Sequence, residues 1–145
     1  MSALRGFSLV ELVAALLIAA ILLLVALPGY RQSVVRANRA VAKLALLEVA
    51  ARQERYLQEN KRYAAGLAAL GFPGNYYIDG AANLVSEGEA VYHISLLLEG
   101  GDYYGVIASP RNGQGDDLAC GSFIYHQSGE RAVSGQQRGN PSRCW

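Results

Sequence analysis

The sequence predicts an α+β protein in which one long N-terminal helix packs on a four-stranded antiparallel sheet, and three observations predict it. Residues 7 to 27 form an apolar run broken by a single charge, Glu11. Residues 30 to 63 contain neither glycine nor proline and are dominated by Ala, Leu, Arg, Glu and Gln, residue types that favour helix. After Gly66 the apolar period changes to that of strands. The 145 residues suit one domain. The 52% hydrophobic share exceeds that of ordinary soluble domains, and the surplus sits in the N-terminal run.

Over residues 7 to 27 a helix rises roughly 31 Å, the thickness of a bilayer core. The run is longer than the apolar stretch of a secretory signal, and no A-x-A cleavage site in small polar surroundings follows it. Pro28-Gly29-Tyr30 lead straight into a charged helix instead, so the segment reads as a signal anchor. Glu11 is the anomaly. A carboxylate inside a span costs several kcal/mol unless it is paired or neutral; the plainer reading places it near the helix start, where headgroups and the helix dipole soften that cost. Pro28 removes one backbone donor and is expected to kink or loosen the helix there.

From Tyr30 to about Tyr63 the helix is amphipathic. Tyr30, Val34, Ala37, Val41, Ala45 and Val49 fall within one stripe at helical spacing, while Arg36, Arg39, Lys43 and Glu54 gather opposite. One side then faces a sheet and the other water or neighbouring subunits. Leu46 and Leu47 lie off this stripe and suit either a second flank against the head or a contact between subunits. The charge is segregated. Residues 31 to 62 hold eight basic side chains against three acidic, residues 63 to 109 five acidic and no Lys or Arg, and the remainder four Arg against three acids. The net charge of +1 therefore argues against a dedicated nucleic-acid binder in bulk, and local patches are what matter.

In the head, residues 64 to 70 suggest a short helical turn and 71 to 75 a loop. Residues 91 to 98 and 103 to 108 read as a hairpin around Gly100-Gly101, followed by a third strand over 122 to 126 and a fourth over 131 to 133. Tyr76-Tyr77-Ile78 suit either a short extra strand or part of the connection. The two cysteines, Cys120 and Cys144, would close one loop in an oxidising compartment and remain separate thiols in a reducing one. Residues 134 to 143 have no strand pattern. His93 and His126 lack a nearby Cys or a carboxylate cluster, and no nucleophile elbow, H-E-x-x-H or P-loop occurs. Gly113-Gln114-Gly115-Asp116-Asp117 lacks the context of a phosphate loop and the ligand spacing of a calcium loop. No catalytic residue, cofactor or metal is expected.

Leu4-Arg5-Gly6-Phe7-Ser8-Leu9-Val10-Glu11, directly ahead of the apolar helix, resembles the leader of type IV prepilins and pseudopilins. That resemblance implies cleavage after Gly6 by a membrane prepilin peptidase, N-methylation of Phe7, and an assembly role for Glu11, which meets the N-terminus of a neighbouring subunit. Pro28 matches the mid-helix proline of many pilins. Cys120, Gly129-Glu130-Arg131 and the terminal Cys144-Trp145 look like the D-region of type IV pilins, closed by the family disulfide, here Cys120 to Cys144. They are most similar to small minor pilins, a subgroup that includes DNA-uptake receptors.

The implied organisation is a leader over 1–6, a transmembrane and filament-core helix over 7–29, an amphipathic helix over 30–63 and a head over 64–145 with its D-region at 120–144. The implied function is a structural subunit of a type IV pilus, minor rather than major, in a pilus serving twitching, adhesion or DNA uptake. Before assembly it would lie in the inner membrane with its head in the periplasm, in contact with lipid and the pilus assembly platform; afterwards it would join other pilin subunits in an extracellular filament. Arg31, Arg36, Arg39 and Lys43 follow the span while only Arg5 precedes it, so the positive-inside rule alone points the other way; the leader is the more specific signal. The alternative is a receptor for double-stranded DNA, with Arg111, Arg131, Arg138 and Arg143 as contacts and Gln136, Gln137 and Asn140 beside them. Asp116, Asp117 and Glu130 count against it. A type II secretion pseudopilin shares the leader, but the cysteine pair speaks against that assignment.

Overall fold

A computed structural model describes residues 8–145. Gly6 and Phe7, the expected cleavage junction, and the whole of the 1–6 leader lie outside the described residues. The chain divides into two units, one ending at Val34 and the other running from Val35 to Trp145.

Helix α1 spans Leu9–Asn60. Ser8 caps its start: the Glu11 backbone N–H donates to Ser8 Oγ at 3.2 Å, which satisfies one of the unpaired donors of the first turn. The pattern Ser8-x-x-Glu11 is that of a capping box, a local role for this stretch that periodicity did not suggest. In the first unit the apolar side chains face outward, with Leu9 78%, Leu24 76% and Val25 74% exposed. By length and composition the helix can cross a membrane. Pro28 lies inside α1 and offers no N–H to the Leu24 carbonyl one turn back. The helix stops at Asn60, before the expected Tyr63, because Lys61 turns left-handed at φ 60° and its N–H closes on the Leu57 carbonyl at 2.8 Å.

Within the second unit the buried stripe of α1 is Asn38, Ala42, Ala45, Leu46, Val49 and Gln53. This corrects the expected stripe. Ala45 and Val49 belong to it, but Ala37 is exposed, as are Tyr30 and Val34, and two polar residues stand among the buried positions. Hydropathy hides such positions, since a buried amide costs little once both its ends are paired. Gln53 is fully buried and pins residue 64 from both sides: its Oε1 accepts the Ala64 N–H at 2.9 Å and its Nε2 donates to the Ala64 carbonyl at 2.9 Å. That pair of bonds brings the chain leaving α1 back along the helix, so the 3₁₀ turn Leu67–Leu70 and Phe72 enter the core. Arg52 lies 4.1 Å above the Phe72 ring and donates to the Leu70 carbonyl at 3.0 Å.

The sheet has five strands where four were expected. They are β1 (Tyr76–Ile78), β2 (Tyr92–Glu99), β3 (Asp102–Pro110), β4 (Phe123–His126) and β5 (Arg131–Val133), in the order β1-β2-β3-β4-β5 and all antiparallel. The additional strand is Tyr76–Ile78, which pairs with β2 in the register Tyr77 to His93. Gly100 and Gly101 turn the β2–β3 hairpin with φ of 61° and 94°, the left-handed pair that a tight hairpin turn requires. Gly105 lets β3 and β4 approach: a Cβ there would lie 2.8 Å from the Tyr125 carbonyl oxygen. Alternation along the strands sends Tyr76, Ile78, Tyr92, Ile94, Val106, Ala108, Phe123 and Val133 into the core against Ala42, Ala45, Leu46 and Val49. Two alanines on the helix face let the sheet come close.

Candidate functional site

The C-terminal tail is fastened to α1 and the sheet by polar bonds as well as by packing. Cys120 and Cys144 form a disulfide of 2.04 Å, and both residues are buried. Four residues before Cys120 the chain completes a 3₁₀ turn over Asn112–Asp116. Arg39 of α1 grips Asp117 with two of its guanidinium nitrogens: Nε and Nη2 donate to the two carboxylate oxygens at 2.7 Å each. The Asp117 side chain is only 2% exposed and that of Arg39 19%. Asp117 Oδ1 also accepts the Cys120 N–H at 3.3 Å, so one carboxylate ties the helix to the disulfide. The hydrogen bond from Arg39 to Asp117 is the main cause of the raised pKa of Arg39, ahead of an opposing burial effect.

A second polar chain runs beside the first. Asn38 Nδ2 donates to Gln114 Oε1 at 2.9 Å, and Gln114 Nε2 donates to the Tyr92 hydroxyl at 3.0 Å. Burial pushes the Tyr92 phenol up to about 12, so it stays neutral at physiological pH. The polar loop at 113 to 117 thus spends Gln114 and Asp117 on internal bonds.

Two short 3₁₀ turns, Gln136–Gly139 and Pro141–Arg143, carry the tail onward, where the sequence showed no strand pattern. They are tied back by bonds from the Gln136 and Gln137 amides to the Leu118 and Ala119 carbonyls at 3.0 and 2.9 Å. Trp145 closes the tail as a plug. Its Nε1–H donates to the Ala132 carbonyl at 3.0 Å, and its ring meets Phe123 and Tyr125 with centroids 5.7 and 6.1 Å away. Arg131 lies 5.4 Å above the same indole.

The four candidate arginines separate in this arrangement. Arg131 on β5, Arg138 and Arg143 are exposed and sit on segments that pack together. Arg111 is on another segment, at the junction of β3 and the 112–116 turn, half-buried with its Nε unpartnered. Of the three acids counted against a basic patch, Asp117 is buried and neutralised by Arg39, which leaves Asp116 and Glu130 exposed. Sequence reasoning missed Lys43. Its Nζ donates to the Cys144 carbonyl at 3.2 Å, and its pKa is lowered, first by burial and then by Arg39 and Arg131. Lys43 therefore stands with the tail's positive charge. The only signal for this in the sequence was its place in a basic stretch of helix.

Glu11 is exposed in the first unit, close to the start of α1. His93 stacks on Tyr77 at 4.4 Å and His126 meets Tyr104 at 4.9 Å. Burial and the nearby Arg111 lower the His93 pKa. Among the described residues no three His, Cys, Asp or Glu side chains are grouped to hold a metal ion.

Residues 28–124 match the family model described as type IV minor pilin ComP, DNA uptake sequence receptor. Comparison with curated proteins finds no match.

Proposed function

We propose, since this chain belongs to the family of the type IV minor pilin ComP, that its disulfide-closed tail contacts double-stranded DNA on the outside of the cell. The chain is a type IV minor pilin, and its long apolar helix fits a membrane-anchored subunit that then enters a pilus. The family is of a structural type. The observation that carries the DNA reading is the match to a DNA uptake sequence receptor over 28–124. That match ends ahead of Arg131, Arg138 and Arg143, so these positions rest on geometry alone. They lie on segments that pack together, Lys43 is bonded to the Cys144 carbonyl of the same tail, and one nearby acid, Asp117, is withdrawn into an ion pair.

Phosphate contacts of this kind steer binding and make it salt-dependent. Purified pilin in detergent micelles is expected to shift duplex DNA on a gel, less so as salt rises. Arg138→Ala with Arg143→Ala should lower the slope of log affinity against log salt by about 2 and weaken binding evenly across sequences. Binding absent at low salt, or insensitive to salt, would refute the receptor reading.

The rest of the proposal concerns the N-terminus. Prepilin peptidase cuts after Gly6, Phe7 is methylated, and Glu11 meets the N-terminus of the next subunit as residues 7–29 move from the inner membrane, through the assembly platform, into the filament core. Pro28 loosens that helix where it leaves the lipid. The amphipathic part of α1, from residue 30 to its end at Asn60, and the head of 64–145 stay on the periplasmic side before assembly. Glu11→Ala tests the central step. The cap on Ser8 uses the backbone N–H of residue 11, so the variant keeps the helix start and loses only the carboxylate. Incorporation into pili, scored by immunoblot of sheared filaments, should drop severalfold with the head still folded; normal incorporation refutes the assignment.

A further inference from the structure

A groove on the head borders the core through Tyr103 and Tyr125. It lies between α1 and the β4–β5 turn and encloses about 370 Å³. Leu47, Ala50 and Glu54 of α1 form one wall, and Tyr103, Tyr125 and Gly129 form the other. Leu46 is fully buried while Leu47 is 38% exposed, so of the two off-stripe leucines one fills the core and the other lines this groove. The Tyr63 hydroxyl donates to Glu54 Oε1 at 3.0 Å, and the Tyr63 ring lies 5.1 Å from that of Tyr103. Among the described residues Glu54 forms no ion pair, and no Lys or Arg lines the groove.

An aliphatic wall, tyrosine rings and one carboxylate hydrogen-bonded to a phenol suit a cation carried on an aliphatic stem. Burial, with Glu54 next in effect, pushes the Tyr103 phenol up to about 12, so the ring stays neutral beside the carboxylate. A side chain with those properties is an arginine or a lysine. Filaments grow through heterologous contacts, in which one patch of a subunit meets a different patch of the next. This chain carries such a complement on the adjoining flank of α1: Arg55 is exposed, lines a separate groove with Arg52 and Tyr56, and forms no ion pair among the described residues.

We propose that this groove is a socket for a basic side chain of the neighbouring pilin subunit, with Glu54 holding the cation and Leu47, Tyr103 and Tyr125 covering its stem. The proposal rests on membership of the filament and is independent of DNA contact.

The test uses full-length pilin in detergent micelles with ¹³C-labelled tyrosines, titrated with N-acetylarginine amide and, separately, with N-acetylnorleucine amide. The arginine analogue is expected to move the ring signals of Tyr103 and Tyr125 saturably and to leave buried Tyr92 unmoved. In Glu54→Gln, whose amide oxygen still accepts the Tyr63 bond, the apparent affinity should fall at least tenfold. In cells the same variant should enter pili severalfold less while the purified protein binds DNA as before, which separates this proposal from the receptor reading. Equal binding of the norleucine analogue, an unchanged affinity in Glu54→Gln, or its full incorporation into pili would each overturn the proposal.

Discussion

Arg39→Met is expected to lower the unfolding free energy of the head by about 3 kcal/mol, the low end for removing one member of a buried ion pair. Methionine keeps an aliphatic stem but leaves the Asp117 carboxylate, 2% exposed, with only the Cys120 amide at 3.3 Å. The partial exposure of Arg39, 19%, is why the low end applies: some of the attraction is screened by solvent. Adding Asp117→Asn should recover part of the loss, because a neutral amide costs less to bury than an unpaired charge. The measurement is the urea midpoint with the disulfide intact and an unchanged slope. A loss below about 1 kcal/mol would place the pair with ordinary surface bridges.

Removing the disulfide should cost a similar amount by a different route. Cys120 and Cys144 are 24 residues apart, and closing a loop of that size restricts the unfolded chain by about 3.5 kcal/mol in the chain-entropy model. In the folded state the tail has other attachments, namely the Trp145 bond to Ala132 and the Lys43 bond to Cys144. Cys120→Ser with Cys144→Ser is therefore expected to lower stability by about 3 kcal/mol and, at temperatures well below the transition, to loosen the last residues. Trp145 is the sole tryptophan, so its emission reports on the tail directly. A red shift accompanying the stability loss fits a tail held chiefly by the bond. An unshifted spectrum would mean that the indole plug holds the tail without it.

What could be read from the sequence depended on the range of the interaction. The apolar run, the helix after it and the hairpin at Gly100-Gly101 are local patterns, and they appear in the structure within a few residues of where they were placed. The helix end was missed by three residues because nothing in composition marks Lys61 as left-handed. β1 was left open, since three residues are too few to show a period, and only pairing with β2 makes them a strand. The buried stripe was rotated because Asn38 and Gln53 occupy it, and their partners, Gln114 and Ala64, are brought to them by the fold. The same holds for the tail. The cysteines were visible, but that Arg39 would neutralise Asp117 from 78 positions away and that Lys43 would join the tail are consequences of the fold. Glu11 stood out by the cost of a carboxylate in an apolar span, whereas its partner and the Gly6-Phe7 junction came only through a motif.

The two outermost strands of the sheet, β1 and β5, are three residues long each. The free side of β1 is occupied by its own chain, since the Tyr77 carbonyl accepts the Val85 N–H at 3.2 Å and Leu84 bridges to Ile78. β5 places a charge, Arg131, at its start, and the tail turns pack beside it. Short, covered or charged margins are how β proteins avoid joining one another strand to strand. In a pilus, heads are held side by side at very high local concentration, where an open margin would invite cross-β association into aggregates. Blunted margins leave the heads no such shortcut from strand to strand.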